Sequence, residues 1–316
     1  MKKAKLEDIL RQIATLASQA VGESDEASEE HGDSIDVSME KTPVCTPKTL
    51  PSRLLEEAAK TAVKINPMNA PQLGPMAALD DPFELTRPRI AVMISKYWGN
   101  VPRRLPVSFL ESTAPQLRSR IIAHLNAWTR TGSIEFVETN GTGIIRISRG
   151  PGGYWSYLGT DVNLIPQDRQ TMNLQGFTMR TPESEFIRVV RHEAGHTLGF
   201  PHEHMRRDLV ARIDREKAYE YFRRTQGWSR RDVDQQVLTP LDERSIFATP
   251  ADQTSIMCYQ LPGSITSDGR PIVGGLDINQ TDYSFVGQIY PKPRDASDVQ
   301  SEADTLEHDD WDDDWK

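Results

Sequence analysis

Apolar positions recur along this chain with two periods, and the periods divide it into elements. Leu117, Ile121, Leu125 and Trp128 lie on one face of a helix predicted over residues 114 to 129. Leu6, Ile9, Leu10, Ile13 and Leu16 form a similar stripe over residues 6 to 20. Leu54, Leu55, Ala58 and Ala62 make another, after Thr46-Pro47 and Leu50-Pro51. Shorter runs rich in β-branched and aromatic residues predict strands at 90–94, 105–110, 134–137, 144–147, 154–164 and 171–174. The turn Asn140-Gly141 separates the third from the fourth, and the glycine-rich stretch 149–153 reads as a loop. A long helix is expected to start with Thr181 as N-cap, Pro182 at the first position, and Glu183 and Glu185 in the first turn. Phe186, Val189 and Val190 are its sheet-facing residues. Asp214 and Ser229 start two further helices, and Asp277 to Asp282 leads into a last one ending near Tyr290-Pro291. A mixed sheet with two long helices is an α+β arrangement.

Polarity marks off the ends. Residues 22 to 42 are rich in Glu, Asp, Ser and Gly and read as a linker, and 66 to 88, with several prolines and little periodicity, as extended chain. From Glu302 to Lys316 the acidic run repels itself and is expected to be disordered. The expected organisation is an N-terminal segment over 1–86, a globular domain over 87–293 and an acidic tail over 294–316. No internal repeat is present.

The chemistry concentrates in Arg191 to His204, which holds four of the seven histidines. His192 and His196 are four apart, so on a helix they share one face and can converge on one ion. Glu193 leans over the same face, placed to take a proton from a water that the ion activates. Gly199 can end the helix in a left-handed turn and let His202 swing back as third ligand. Three imidazoles leave the fourth tetrahedral position open, the pattern of a catalytic zinc and not of a closed structural one. The spacing H-E-x-x-H-x-x-G-x-x-H is the metzincin signature.

Two more segments narrow the resemblance. Ser255-Ile256-Met257-Cys258-Tyr259 is similar to the methionine turn S-x-M-H-Y of the astacin family, with Cys258 in place of histidine. Gly199-Phe200-Pro201-His202-Glu203-His204-Met205-Arg206-Arg207-Asp208 matches the fixed positions of that family's zinc segment. Gly153-Tyr154-Trp155-Ser156-Tyr157-Leu158-Gly159 resembles its edge-strand segment G-C-W-S-x-V-G, with Tyr154 for cysteine and Leu158 for valine. The resemblance covers roughly residues 88 to 292, in a bacterial-type form without a signal peptide.

What the resemblance implies is a zincin-like fold: a mixed twisted sheet, a long active-site helix, and zinc in a cleft between upper and lower subdomains. The implied activity is that of a zinc endopeptidase with one Zn2+ on His192, His196 and His202 and with Glu193 as general base. Tyr259 would hold the oxyanion, Met257 would pack beneath the histidines, and Trp155, Ser156 and Tyr157 would form the edge on which an extended peptide lies by strand addition. Plain packing is the alternative for Tyr259, and an ordinary core strand for 155–157. Arg270 could favour an acidic residue after the cut, or be an ordinary exposed arginine. In mature relatives Glu203 pairs with the new N-terminus; no cleavage site is marked here, and a polar residue bonding backbone is the plainer reading. The front segment stands where astacins carry a propeptide, without a clear aspartate-switch motif. Cys45 reads as an inert thiol beside proline, with a thiolate plug on the zinc, as in matrix metalloproteases, as the alternative. A second function is a catalytically silent or narrow-specificity zinc-binding interaction protein; it is expected to have lost Glu193 or a ligand, and all are intact.

Composition and charge close off other classes. The net charge of −9 disfavours nucleic acid as a partner, and the chain holds no run of eighteen apolar residues to span a membrane. The start, Met1 to Asp8, is basic without an apolar segment, unlike a secretory signal. Only Cys45 and Cys258 occur, so no disulfide framework exists. The expected location is the cytoplasm, or outside by a route without a cleaved signal. Expected partners are peptide or protein substrates. Trp311 and Trp315 in the acidic tail form a candidate docking motif, beside the simpler reading of a solubilising tail.

Overall fold

The computed structural model describes residues 45–69, 91–93, 96–242, 246–248 and 250–293. All of them belong to one compact unit, Lys41–Lys316. The stripe over 6–20, the linker over 22–42, most of the extended stretch to 88 and the acidic tail with its docking motif lie outside the described residues.

A helix, α1 (Leu55–Ile65), precedes a short strand, β1 (Ala91–Met93). The main sheet is built from β2 (Arg103–Phe109), β3 (Ile134–Glu138), β4 (Ile145–Ser148), β5 (Tyr154–Ser156) and β6 (Met172–Leu174), in the order β3-β2-β4-β6-β5. Although only a turn separates β3 from β4, they do not pair. Each lies parallel to β2, on opposite sides. β6 follows parallel to β4, and β5 closes the sheet antiparallel to β6 as its edge. The alternation expected of half-buried strands is clear in β3, whose residues run buried, exposed, buried. β4, in the middle, is buried throughout.

Two helices pack on this sheet. α2 (Pro115–Leu125) buries Leu117, Ile121 and Leu125, the predicted stripe, and continues into a 3-10 turn that buries Trp128. The second, α3, is one continuous helix: Glu183–Glu185, a π-turn over Phe186–Val190, and Arg191–Thr197. The sequence places Thr181 as its cap. In the structure Pro182 stands at the N-cap position, and the Thr181 hydroxyl instead accepts the Thr178 N–H at 3.0 Å. The core between sheet and helices unites Leu105, Val107, Ile145, Ile147, Phe186 and Val190 with Met257.

The strand expected over 154–164 ends after Ser156. Gly159, at φ +46°, turns the chain into a 3-10 helix over Gly159–Leu164, and a Cβ there would fall 2.0 Å from the Lys96 carbonyl oxygen. The lower half carries its own core from α4 (Arg215–Gln226), the turns after it and the loops around Leu261 and Ile272. Asp214 caps α4 as predicted, accepting the Lys217 N–H. The last helix, α5 (Gln280–Ile289), starts in a capping box of Asn279 and Asp282. No helix among the described residues is long and apolar enough to cross a membrane.

Candidate metal centre

The end of α3 and the chain after it bring the predicted ligands together. Gly199 has φ +98°, and its N–H closes on the His196 carbonyl, while Phe200 N–H reaches back to Gly195. The chain therefore doubles back and delivers His202. The Nε2 atoms of His192 and His196 each lie 3.1 Å from His202 Nε2. The Nδ1–H of His192 donates to Ile256 O and that of His196 to Phe200 O, both at 2.7 Å. With those protons committed, the Nε2 lone pairs of both rings face inward, held by the outer hydrogen bonds that orient metal-binding imidazoles. Burial holds the His192 ring down to about 4 and those of His196 and His202 well below the ordinary histidine range, so the rings are neutral, the form able to ligate a metal.

A fourth donor is present. Cys45 Sγ lies 3.4 Å from His196 Nε2, and the ligand atoms of Cys45, His192, His196 and His202 all fall within 4.8 Å of one another. All four residues are buried. This corrects the reading of Cys45 as an inert thiol. Nitrogen and sulfur donors converging on one point are the donor set of a zinc site, and the cluster could bind one zinc.

Glu193 is fully buried, and neither carboxylate oxygen has a hydrogen-bond partner among the described residues. Burial pushes its carboxyl up to about 8, against the pull of Cys45 and Arg188. An unpartnered buried carboxylate is costly. Tyr259 is buried as well, its ring stacked on His204 with centroids 4.2 Å apart and equally close to His202. Its hydroxyl, too, lacks a hydrogen-bond partner among the described residues. Burial first, then the nearby Cys45 and Glu193, raise it well above the ordinary tyrosine range.

Met257 is fully buried against α3, and it explains a glycine that the motif leaves open. A Cβ on Gly195 would meet the Met257 sulfur at 2.4 Å. The turn Ser255–Tyr259 also fixes His192 and the chain after His202: Ile256 O receives the His192 proton, and Met257 O accepts Glu203 N–H at 2.9 Å. Glu203 pairs with Arg206 at 3.1 Å and accepts Asp252 N–H, the backbone-bonding role.

The edge residues separate. Ser156 is fully buried, its hydroxyl 3.0 Å from that of Thr197 on α3. Trp155 is buried and Tyr157 half-buried. Arg270 is exposed in its loop, its backbone tied to Asp268, Arg212 and Thr266.

Three residues that periodicity does not reveal complete the frame. Trp98 Nε1–H donates to Thr197 O at 2.8 Å and the Tyr290 hydroxyl to Leu198 O at 2.6 Å, satisfying two carbonyls that the end of α3 leaves open. Asp282, the third helical residue in the capping box of α5, accepts Ile256 N–H at 3.1 Å and thereby ties down the turn Ser255–Tyr259. The capping-box spacing from Asn279 to Asp282 is legible in the sequence; the tie to Ile256 is not.

The chain is similar to known proteins. The sequence profile of the Astacin peptidase family matches residues 92–269, more than half the chain. A solved structure of myroilysin is similar at 30% identity with a TM-score of 0.61, over 65% of this chain and 100% of that one. Another myroilysin crystal structure gives 31% identity, a TM-score of 0.47, and 63% and 87% coverage. High choriolytic enzyme 1, a hatching enzyme zinc-protease from the medaka fish Oryzias latipes, gives 21% identity, a TM-score of 0.43, and 63% and 96% coverage. No curated protein sequence matches.

Proposed function

The chain belongs to the astacin family of zinc metalloendopeptidases, and on that premise we propose a division of labour among its own residues. His192, His196 and His202 hold one zinc. The bound ion supplies Lewis acidity, acidifying a water and polarising the scissile carbonyl. Glu193 accepts the proton of the attacking water and returns it to the departing amine, so that one water and one peptide bond become a carboxylic acid and an amine. Tyr259 donates its hydroxyl to the oxyanion as charge develops. The edge of β5 binds the peptide backbone as an added strand; with Ser156 turned inward onto Thr197, its contribution is main-chain. Arg270, exposed beside that lower half, is offered as a contact for an acidic residue after the cut. Residues 87–293 form the catalytic domain, with the front segment in the place of a propeptide.

The observation that carries this reading is the buried, unpartnered Glu193 carboxylate one residue from His192, beside three converging imidazole nitrogens. It also weighs against a catalytically silent zinc protein, because fold stability alone gives no reason to keep an unpaired buried carboxylate. Glu193→Ala is expected to retain zinc and to lose peptide hydrolysis by roughly 10²–10⁴, the worth of one acid–base group. Zinc content by metal analysis and cleavage of a mixed peptide library, with and without chelator, check it. Wild-type turnover in the variant would remove Glu193 from the mechanism.

A further inference from the structure

The Tyr259 hydroxyl has no hydrogen-bond partner among the described residues, so the placement of the side chain falls to what its ring packs against. Two rings lie equally close, and they differ in tilt. Tyr259 is inclined by 49° to His202 but lies nearly flat on His204, at 15°. The last torsion of an aromatic side chain is soft, so a flat neighbour decides the plane of the ring. His204 is itself fully buried and held from three directions. Its Nε2–H donates to Gln236 O at 3.0 Å. On either side of it, Glu203 N–H donates to Met257 O and Met205 O accepts Leu241 N–H, both at 2.9 Å. The first of these backbone ties runs to the turn that carries Tyr259. Gln236 belongs to a π-turn over Asp234–Leu238, and Asp234 fastens that turn to α4 by accepting the Tyr219 hydroxyl at 2.7 Å and the Arg215 guanidinium at 2.6 Å. The other ring nitrogen of His204, Nδ1, is buried without a partner among the described residues. Leaving a buried polar atom unpaired is costly, and a phenyl ring would fill the same space without that cost.

We infer that His204 is a positioning residue that acts through Tyr259, fixing the plane of its ring and with it the direction of its hydroxyl. The inference rests on the oxyanion role of Tyr259 proposed above. Stacking supplies the surface, and the bond to Gln236 keeps the imidazole from turning about its own side-chain torsion. A donor to an oxyanion is useful only when it sits about 3 Å from the developing charge. A misplacement of about 1 Å can cost on the order of 10²-fold in rate. An apolar ring in place of His204 would keep the stack and lose the tie, which is why a histidine is worth its unpaired nitrogen.

The test is a double-mutant cycle in the full zinc-loaded chain, read as kcat and KM on one peptide. The parent is Cys45→Ser, which lacks the thiol beside His196. His204→Ala removes stack and tie together; His204→Phe removes the tie alone. In the parent, kcat is expected to fall on the order of tenfold or more in His204→Ala and about threefold in His204→Phe, with KM little changed. In a Tyr259→Phe parent, where the hydroxyl is already gone, the same two substitutions are expected to change kcat by less than about twofold. A side chain that only fills space would cost the same with the hydroxyl or without it. Metal analysis and thermal melts accompany each variant, because His204 also lies beside His202, with ring centroids 4.9 Å apart. If His204→Ala loses zinc or its fold, the volume-conserving His204→Phe carries the cycle. Equal losses in the two parents, an unchanged kcat in both His204 variants, or zinc or fold lost in both overturn the positioning role and leave Tyr259 as the donor. A Tyr259→Phe chain that turns over like its parent overturns the oxyanion reading, and a parent that cleaves no peptide overturns the peptidase reading; the inference falls with either.

Discussion

At the scale of single residues, the centre buries polar atoms of Glu193, His202 and Tyr259 that have no hydrogen-bond partner among the described residues. Tyr259 is the sharpest case, because its ring is tightly packed on His202 and His204 while its hydroxyl is idle. Tyr259→Phe keeps the packing and removes only the donor. In a Cys45→Ser background it is expected to lower kcat on the order of 10²-fold with KM little changed, since an oxyanion donor acts only in the transition state. Steady-state kinetics check this; turnover equal to the parent places the donor elsewhere. His202→Ala is expected to lose most of its zinc on dialysis, read by metal analysis. The histidines, Glu193 and Tyr259 are legible in the sequence because their spacing is local and their chemistry needs fixed residue types. Cys45 is legible only as the weaker of two readings, since its contact with His196 spans 151 positions and no local pattern carries such a contact.

At the scale of elements, α3 works because its far end is finished by other parts of the chain. Trp98 and Tyr290, distant in sequence, satisfy its last carbonyls, and Asp282 in the capping box of α5 holds the turn that orients His192. Asp282→Ala is therefore expected to reach beyond α5. It strips the buried Ile256 N–H of its acceptor, at a cost on the order of 1–3 kcal/mol, and by loosening the carbonyl beneath His192 should weaken zinc roughly 10–100-fold. Thermal melts with and without chelator, together with a zinc titration, separate the two effects; unchanged zinc affinity would show that the turn holds itself. Gly195→Ala is expected to cost about 1–3 kcal/mol through overpacking against the Met257 sulfur. The helices and most strands follow from periodicity and capping signals. The order of the strands does not: pairing of β2 with both β3 and β4 is a long-range choice, and the strand lost after Ser156 is decided by Gly159 meeting the Lys96 carbonyl.

At the scale of the whole molecule, two cores, one under the sheet and one among the lower loops, meet where Met257 belongs to the first and Tyr259, two residues on, to the second. A zinc held by His192, His196 and His202, as proposed, would favour the folded state. Chelation is expected to lower the melting temperature of the full chain, and added zinc to raise it with concentration, as for any ligand that binds only the folded state. A chain beginning near Thr86 should cleave peptide at least as fast as the full chain. Folding of the shortened chain, checked by circular dichroism, separates an inhibitory front segment from one that the domain needs in order to fold.

The edge of β5 carries one more consequence, for solution behaviour. While Thr46 and Lys48 cover Tyr154 and Ser156, the sheet presents no open row of backbone acceptors there. Once that strand is gone, the same row is available to any extended chain, including the β5 edge of another copy. Uncovering it thus trades a sealed border for an adhesive one. Self-association of the opened protein should rise with its concentration and fall when a competing peptide fills the edge, which sedimentation across a dilution series would reveal.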